Sequence, residues 1–356
     1  MDKNIVIVTP KLNISGGVSS YWNALIPELN KYIQINNIQV GGHGKNIFGP
    51  ILDQWRFGKN VNESVDLVFL NPSLGSRSFF RDAFFAKKII KKNIPFIVFF
   101  HGWNLDFEKT IDTKYINFFM STFGQAKKII VLSQGFKNKI IEWGYKGNIL
   151  IETTNVDSSL LDDFSYKDKI KKFQESNEIN ILFLARLLRE KGVFETVEAF
   201  RHLEHRYENI ELIIAGDGKD LDELKMFVQN DKKIKVVGYV EGKDKIDLFK
   251  NSHIYCFPTF YGEGLPTSIL EAMAFAMPVI TTNMGGLKEF FQNEKMGYFV
   301  EPKNIDDIEK KLELLISNKS KVLEMSEFNY NFATDKLLNT VVAKRIYQYI
   351  EEVINE

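Results

Sequence analysis

Short apolar runs alternate with segments of helical periodicity along almost the whole chain. The first series of strand-like runs begins at six positions: Ile5, Ile38, Val65, Phe96, Ile129 and Ile149. The second series occupies residues 179–185, 210–215, 234–237, 254–257, 279–282 and 298–300. Strands that alternate with helices form βαβ units, so the pattern predicts an α/β protein with a parallel sheet in each series.

Two domains are expected from the length of 356 residues, because a single core seldom grows to that size. The polar and charged residues 165–178 separate the two series, and we predict the linker there. The first domain is therefore predicted to span residues 1–165 and the second residues 166–334. The helical pattern in residues 335–356 has no strand after it.

The composition, 44% hydrophobic and 26% charged, is that of an ordinary globular protein. A formal net charge of +0 argues against general nucleic-acid binding. The longest clear apolar run, residues 94–100, is too short to cross a bilayer, and the first strand begins too early to leave room for a signal peptide. We therefore expect a cytoplasmic protein.

No cluster of cysteine and histidine suggests a metal site. Cys256 is the single cysteine, so it cannot form an internal disulfide, and its strand-like surroundings predict a small buried residue. Asp220 and Asp222 form an Asp-x-Asp pair, but they follow a Gly-Asp-Gly turn and open a helical pattern. We interpret this pair as structural and expect no metal requirement.

The most informative stretch, residues 261–274, is a loop that leads into a helix. Gly262, Gly264 and Pro266 break regular structure, and Thr267 or Ser268 is predicted to cap the helix that follows. Because a helix start offers unpaired amides and the positive end of the helix dipole, it favours an anion such as a diphosphate.

Glu263 and Glu271 lie on either side of this junction. An ionised glutamate has two acceptor oxygens, so it can bind the vicinal hydroxyls of a ribose or a hexose. The alternative is an ordinary loop and an amphipathic helix whose glutamates are both solvated.

Residues 263–286 closely resemble the signature of the retaining glycosyltransferases of family 4, in which the two glutamates and a later Gly-Gly recur. Further motifs of that family follow one another along the chain: Ser15-Gly16-Gly17 after the first strand, His101-Gly102 after the Phe96 strand, and Arg186 followed by Lys191-Gly192 after the Ile179 strand. The chain departs from the family pattern at Ala185 and Ala276, where glycine is usual.

The resemblance implies the GT-B fold, in which two Rossmann-like parallel-sheet domains face each other across a cleft and the last helix returns to the first domain. It implies transfer of a hexose from a nucleotide diphosphate sugar, UDP- or GDP-linked, to a glycan acceptor with retention of configuration and without a metal. The resemblance further implies that the acceptor is lipid-linked and that the protein takes part in the synthesis of a surface polysaccharide or glycoconjugate.

The resemblance also assigns residue roles. Arg186 and Lys191 would hold the diphosphate, Glu271 the ribose, Glu263 the donor hexose, and His101 the transferred sugar. The catalytic set is then His101, Arg186, Lys191 and Glu263, and the donor-binding set is Gly16, Gly17, Arg186, Lys191, Glu263, Gly264, Leu265, Pro266, Thr267 and Glu271.

Two other functions fit part of the pattern. A glycoside hydrolase also uses two carboxylates, and it would act without a nucleotide sugar. A subunit that binds the nucleotide sugar but has lost transfer would keep the same charged residues. Measurements of donor binding and of donor turnover would distinguish the transferase, the hydrolase and the non-catalytic subunit.

The segment 79–92 has a broad apolar face at helical spacing, with basic residues around it. The usual interpretation is a helix that packs on the sheet. The alternative is peripheral contact of the first domain with the inner face of the cytoplasmic membrane, because a basic and aromatic helix can lie at an anionic surface.

Overall fold

The computed structural model describes residues 3–14, 16–43, 48–261 and 265–356. Gly262, Glu263 and Gly264 therefore lie outside the described residues. The chain forms two compact units, one of residues 1–155 with residues 339–356 and the other of residues 156–338.

The first unit is built on a six-stranded parallel sheet in the order β2-β1-β3-β5-β7-β8, with a separate two-stranded pair of β4 and β6. The strands are β1 (Ile5–Pro10), β2 (Ile35–Val40), β3 (Leu67–Leu70), β4 (Ser73–Leu74), β5 (Phe96–Phe99), β6 (Gly102–Trp103), β7 (Lys128–Val131) and β8 (Asn148–Ile151). The helices between them are α1 (Gly17–Leu29), α2 (Gly49–Asn60), α3 (Ser76–Lys91), α4 (Leu105–Thr110), α5 (Ile116–Met120) and α6 (Gln134–Glu142).

Both faces of this sheet are buried. Val6 and Val8 of β1 belong to one apolar cluster, which includes side chains of α2 and α3. Ile5 and Ile7 of the same strand belong to another, which includes side chains of α1 and of the C-terminal helix. Successive side chains of a strand point to opposite faces, so a sheet covered on both faces needs nearly continuous apolar strands.

The second unit repeats this plan with a parallel sheet in the order β11-β10-β9-β12-β13-β14. Its strands are β9 (Ile179–Leu184), β10 (Ile210–Ala215), β11 (Ile234–Gly238), β12 (Ile254–Phe257), β13 (Val279–Thr282) and β14 (Gly297–Val300). Its helices are α7 (Tyr166–Glu175), α8 (Val193–Glu204), α9 (Leu221–Phe227), α10 (Gly242–Asn251), α11 (Thr267–Ala274), α12 (Leu287–Phe290), α13 (Ile305–Ile316) and α14 (Lys319–Lys336).

The predicted linker at residues 165–178 is instead mostly helix α7. Ser165 caps it by accepting the amide of Asp168, and Phe173 and Lys169 are buried within the second unit, where Nζ of Lys169 donates to the carbonyls of Phe249 and Phe275. The charged residues form the outer face of an amphipathic helix, and so they resemble a linker when only composition is considered. The chain passes from one unit to the other between Asn155 and Val156, ahead of the predicted boundary at residue 165.

Helix α3 covers the segment for which we predicted an amphipathic helix. Phe79, Ala83, Phe85 and Ile89 are buried in the core of the first unit, which is the usual interpretation of such a face. Phe84 is the exception, because half of its side chain is exposed. Within the described residues, no helix has both the length and the apolar character that spanning a bilayer requires.

The last helix, α15 (Asn339–Asn355), belongs to the first unit, where its apolar stripe shares a core with α1. A buried ion pair fixes it to the sheet. Arg345 donates from Nε to Oε2 of Glu152 at 2.9 Å and from its terminal nitrogen to Oε1 at 2.5 Å. Glu152 follows β8 and is buried, and the fork-shaped guanidinium of Arg345 bonds both of its carboxylate oxygens.

We expect Arg345→Ala to lower the free energy of unfolding by about 3 kcal/mol, because the carboxylate of Glu152 would stay buried without its cationic partner. Lys344→Ala is the matched control, since Lys344 is exposed on the same helix and its loss should cost less than about 0.5 kcal/mol. Urea unfolding of the two variants measures the difference. Equal stabilities would show that the ion pair does not hold α15.

Candidate functional site

The sheet of the second unit reverses its strand order between β9 and β12. From β9 the chain adds β10 and β11 on one side, and from β12 it adds β13 and β14 on the other. In open α/β sheets, ligands bind beyond the carboxyl ends of the strands at such a reversal. Arg186 follows β9 there, and residues 258–261 follow β12.

The loop after β9 is held by the loop after β10. The amide of Leu187 donates to the carbonyl of Asp217 at 2.9 Å. A Cβ atom on Gly216 would overlap the carbonyl oxygen of Ala185, and one on Gly218 would overlap that of Leu187. Both glycines are therefore needed for the backbones to approach so closely.

Asp220 has a structural role, as predicted for the Asp-x-Asp pair. Its Oδ2 accepts the amide of Arg189 at 2.6 Å, which ties the start of α9 to the turn after Arg186. Asp222 is exposed on the same helix. Among the described residues, no group of three His, Cys, Asp or Glu side chains is placed to hold a metal ion.

The loop after β9 is also fastened to the loop after β12. The amide of Phe260 donates to the carbonyl of Glu190 at 2.9 Å. Gly192 has a φ of 82° at the start of α8, and a Cβ atom there would overlap the carbonyl oxygen of Pro258. Glycine is required on both counts, and the contact fixes the position of the neighbouring Lys191.

Lys191 lies in a partly apolar setting. Its Nζ is 4.4 Å from the centroid of the Tyr261 ring and 5.9 Å from that of Phe257. Burial lowers the pKa of Lys191 to about 8, and the positive charge of Arg186 lowers it further while Glu190 opposes the change. The structure thus brings the two predicted cations together at the carboxyl end of β9, where an anion would relieve their repulsion.

Helix α11 begins at Thr267, after Pro266, so the prediction that Thr267 or Ser268 caps it was wrong. Proline fixes the chain direction just before the helix, and no side chain supplies the cap. Ser268 instead bonds the hydroxyl of Tyr255, which donates to the carbonyl of Leu184 at 2.7 Å. This shared hydroxyl joins the start of α11 to the end of β9.

Glu271 lies in the second turn of α11, and its side chain is 12% exposed. Both of its carboxylate oxygens lie 2.7 Å from Nζ of Lys245, which projects from α10. Burial raises the pKa of Glu271, and the charge of Asp157 raises it further, whereas Lys245 lowers it. Each oxygen keeps a lone pair that a ligand hydroxyl could approach.

Lys245 is a site residue that sequence analysis missed. The residue lies in an ordinary amphipathic helix, and nothing in its spacing connects it to a glutamate in another helix. Only the packing of α10 beside α11 brings the two side chains together.

Some predicted donor-binding residues are not placed together by the described structure. Glu263 and Gly264 lie outside it, so their roles remain predictions. Leu265 is buried, whereas Pro266 and Thr267 are half-buried at the start of α11.

Gly16 and Gly17 belong to the first unit, where Gly17 opens α1. Apart from the adjoining backbone, no described protein atom lies within 4 Å of a Cβ atom built on either residue. Packing of the described protein therefore does not require glycine at these positions, and the prediction that they admit a ligand is untested.

His101 also lies in the first unit, just beyond β5. Its ring packs against those of Phe99 and Tyr21, with centroids 3.7 and 4.4 Å away. Burial lowers the pKa of His101 to about 3, so the imidazole is neutral at pH 7. Its Nε2 is buried and has no hydrogen-bond partner among the described residues. It can thus exchange a hydrogen bond with a ligand but cannot supply a positive charge.

The comparisons with known proteins agree with this arrangement. Residues 165–332 match the family model described as glycosyl transferases group 1. An uncharacterized glycosyltransferase of Haemophilus influenzae is 27% identical over 68% of this chain and 66% of its own length. The capsular polysaccharide biosynthesis glycosyltransferase CapM of Staphylococcus aureus is 28% identical over 55% of this chain and 53% of its own length. The chain therefore spans a little under two thirds and about half of these two relatives.

A solved structure, that of Anabaena HepE in complex with UDP and glucose, matches over 98% of this chain and 99% of its own, with a TM-score of 0.70 and 15% identity. Similarity at this level of identity concerns the fold alone. Together with the two parallel sheets, it confirms the predicted GT-B class with two Rossmann-like domains.

We expect Lys245→Ala to lower the free energy of unfolding by about 2 kcal/mol at pH 7.5, because Glu271 would be ionised and buried without its partner. Removing Lys245 raises the already raised pKa of Glu271 further, so the loss should grow as pH rises and become small below about pH 4.5, where the carboxyl is protonated. Urea unfolding across this range measures the effect.

Lys243→Ala is the control, because Lys243 is exposed on the same helix. A loss in Lys245→Ala that did not depend on pH would contradict the interpretation, since it would reflect lost packing and not an unpaired charge.

Proposed function

Because residues 165–332 match the family model of the glycosyl transferases group 1, we propose that this protein is a retaining glycosyltransferase. It moves a hexose from a UDP- or GDP-linked donor to a glycan acceptor, which we propose is lipid-linked, in surface polysaccharide or glycoconjugate synthesis. The pair of cations at the strand-order reversal of the second unit is the observation that carries the proposal. A capsular polysaccharide glycosyltransferase among the relatives supports the pathway class.

The second unit is proposed to hold the nucleotide diphosphate. Arg186 is exposed and can grip two phosphate oxygens with its planar fork, whereas Lys191 acts as a point charge. The start of α11, with the amides of Thr267 and Ser268, adds the positive end of a helix dipole. The backbone that carries Arg186 and Lys191 is hydrogen-bonded to the loop after β12, from the amide of Phe260 to the carbonyl of Glu190.

The proposed role of Glu271 is to accept hydrogen bonds from the two ribose hydroxyls. Lys245 keeps the carboxylate ionised and oriented within an otherwise unfavourable buried setting. Glu263 is proposed to bind the donor hexose, with Gly264 and Leu265 shaping the sugar pocket. Gly16 and Gly17 are proposed to let a phosphate or sugar approach the start of α1.

In the proposed reaction, the bond between the anomeric carbon and the phosphate oxygen breaks and the diphosphate leaves with an added negative charge. The acceptor hydroxyl attacks the same face, and its proton passes to the departing phosphate oxygen. Arg186 and Lys191 stabilise the charge that develops on that oxygen more than they stabilise the bound donor. We propose that the reaction needs no metal and that the neutral His101 contacts the transferred sugar.

We expect UDP or GDP and one of their sugars to raise the thermal unfolding midpoint of the protein, with or without magnesium. Glu271→Ala should weaken donor binding by roughly thirtyfold, because about 2 kcal/mol of charged hydrogen bonding to the ribose would be lost. Arg186→Ala should abolish the thermal shift. Asp222→Ala is the control, and it should keep the shift.

The outcome of this ligand panel separates the alternatives. Absence of a shift with every nucleotide, together with cleavage of oligosaccharides without a donor, would replace the transferase by a glycoside hydrolase. Saturable donor binding with neither transfer nor slow donor hydrolysis would leave a non-catalytic binding subunit. A shift that appears only with magnesium would contradict the proposed metal independence.

We expect the affinity for the nucleotide sugar to fall by about tenfold between pH 7 and pH 9, because Lys191 loses its proton with a pKa of about 8 in the free protein. A nucleotide sugar is the suitable probe, since its diphosphate does not titrate in this range. Calorimetric titration measures the affinity. Lys191→Arg is the control, because its charge persists and its affinity should stay nearly constant, whereas an equal fall in both proteins would exclude Lys191 as the cause.

A further inference from the structure

Helix α7 carries a lysine that is buried inside the second unit. Lys169 is 8% exposed, and its Nζ donates to the carbonyl of Phe249 at 2.9 Å and to that of Phe275 at 2.7 Å. Burial lowers its pKa to about 7, and no carboxylate of the described residues opposes that change. Lysines are almost never fully buried unless they are paired. A buried lysine whose partners are two backbone carbonyls therefore indicates that these two contacts have a specific role.

Both carbonyls lie at the C-terminal ends of helices. Phe249 is in the last turn of α10, and Phe275 directly follows α11. The last carbonyls of a helix have no amide partner within that helix and carry the negative end of its dipole. An ammonium group between them satisfies one carbonyl from each helix and is attracted by both dipoles. Lys169 therefore joins the end of α10 to the end of α11.

Aromatic rings pack around the same contact. The ring of Phe249 stacks on that of Phe275, with 5.3 Å between centroids and 5° between planes, and both residues are buried. The ring of Phe164 lies 4.9 Å from that of Phe275, and Nζ of Lys169 lies 5.9 Å from the Phe164 centroid. We call the side chains of Phe164, Lys169, Phe249 and Phe275 the α10–α11 junction.

The α10–α11 junction lies one helical turn from the charge pair of the candidate site. Lys245 precedes Phe249 by four residues, and Glu271 precedes Phe275 by four residues. Residues four apart in a helix lie on the same face, one turn of about 5.4 Å apart. The amide of Phe275 donates to the carbonyl of Glu271 at 3.0 Å, so this turn is helical. A displacement of one helix end at the junction would therefore also displace Lys245 relative to Glu271.

We propose that Lys169 is a positioning residue for the ribose of the nucleotide. By binding the ends of α10 and α11, it sets the distance between Lys245 and Glu271 and so the direction in which the Glu271 carboxylate meets the two ribose hydroxyls. The inference rests on the proposed function, in which Glu271 binds the ribose. It adds a residue of helix α7, the first α-helix of the second unit, which does not touch the nucleotide itself.

The physical argument concerns what an apolar side chain would do at position 169. Two buried carbonyls would lose their donor, which costs free energy unless the helix ends move to admit water. The carboxylate of Glu271 would move with its helix. Hydrogen bonds weaken steeply when donor and acceptor are misaligned, so both bonds to the ribose would weaken together. Arg186 and Lys191 follow β9 and lie outside the junction, so their contacts with the diphosphate should persist.

The experiment measures the Kd of UDP, of GDP and of their 2′,3′-dideoxy analogues by calorimetric titration of the full chain. The dideoxy analogues keep the base and the diphosphate but lack both hydroxyls. We expect the parent to bind one ribonucleotide about thirtyfold more tightly than its dideoxy analogue, because charged hydrogen bonds to Glu271 are lost. In Lys169→Met this ratio should fall to about threefold, while the affinity for the dideoxy analogue changes by less than about twofold.

Lys171→Met is the matched control, because Lys171 is exposed on the same helix, and it should keep the ratio of the parent. Lys169→Arg keeps a cation with several N–H donors and should restore the ratio to at least about tenfold. Thermal unfolding shows which variants are folded. If Lys169→Met does not fold, Lys169→Gln takes its place, because its shorter and neutral amide cannot reach both carbonyls and should also lower the ratio.

A double-mutant cycle tests whether Lys169 acts through Glu271. In the Glu271→Ala background the ratio should already be close to one, and Lys169→Met should cause no further loss of ribonucleotide affinity. An equal loss with and without Glu271 would overturn the proposal. So would a Lys169→Met protein that loses affinity equally for the ribonucleotide and its dideoxy analogue, or for neither.

The parent protein tests the premise separately. A parent that binds no nucleotide would contradict the proposed function, and a parent that binds both forms equally would contradict the proposed role of Glu271. Either result would remove the inference with its premise. A parent that prefers the ribonucleotide, with a Lys169→Met protein that keeps this preference, would overturn the role of Lys169 alone and leave the proposed function standing.

Discussion

The site in the second unit depends on how closely the backbone after β9 approaches the loops beside it. Gly216 and Gly192 have no side chain, so the loops after β10 and β12 can pack directly against the turn that carries Arg186 and Lys191. A methyl group at either glycine would overlap a carbonyl oxygen. Strand order reverses beside this turn, and in open α/β sheets ligands bind at such a reversal. The closely packed loops therefore border the expected ligand site.

Burial gives the charged groups of this site different properties. Lys191 has a lowered pKa beside a second cation, and a diphosphate would raise that pKa again. Glu271 is a weakened acid whose ionisation depends on Lys245. An anion beside Lys191 and hydroxyl donors beside Glu271 would therefore each find a charged partner at this site. In the first unit His101 is different, because burial among aromatic rings leaves it neutral.

The first unit has a sheet that is covered on both faces and an outer surface that is apolar along helix α2. Phe57 of helix α2 is buried in the core, whereas Trp55 of the same helix is exposed, so α2 has apolar side chains on both its inner and its outer face. The predicted amphipathic segment in α3 is mostly core, and Phe84 alone of its phenylalanines is largely exposed. Helix α2 carries three large exposed apolar side chains, Ile51, Leu52 and Trp55, whereas α3 carries Phe84.

The sequence by itself determined the two series of parallel strands, because short apolar runs that alternate with helical segments are typical of parallel sheets covered on both faces. It also determined the proximity of Arg186 to Lys191, since both flank the turn after one strand. Only the tertiary structure decided that residues 165–178 form a packed helix, that Pro266 precedes α11 without a side-chain cap, and that Lys245 pairs with Glu271. The physical reason is the separation along the sequence over which each effect acts. Periodicity and turn residues act over a few neighbouring positions. A charge pair between two helices, and the burial of one helix face, depend on packing across the whole unit.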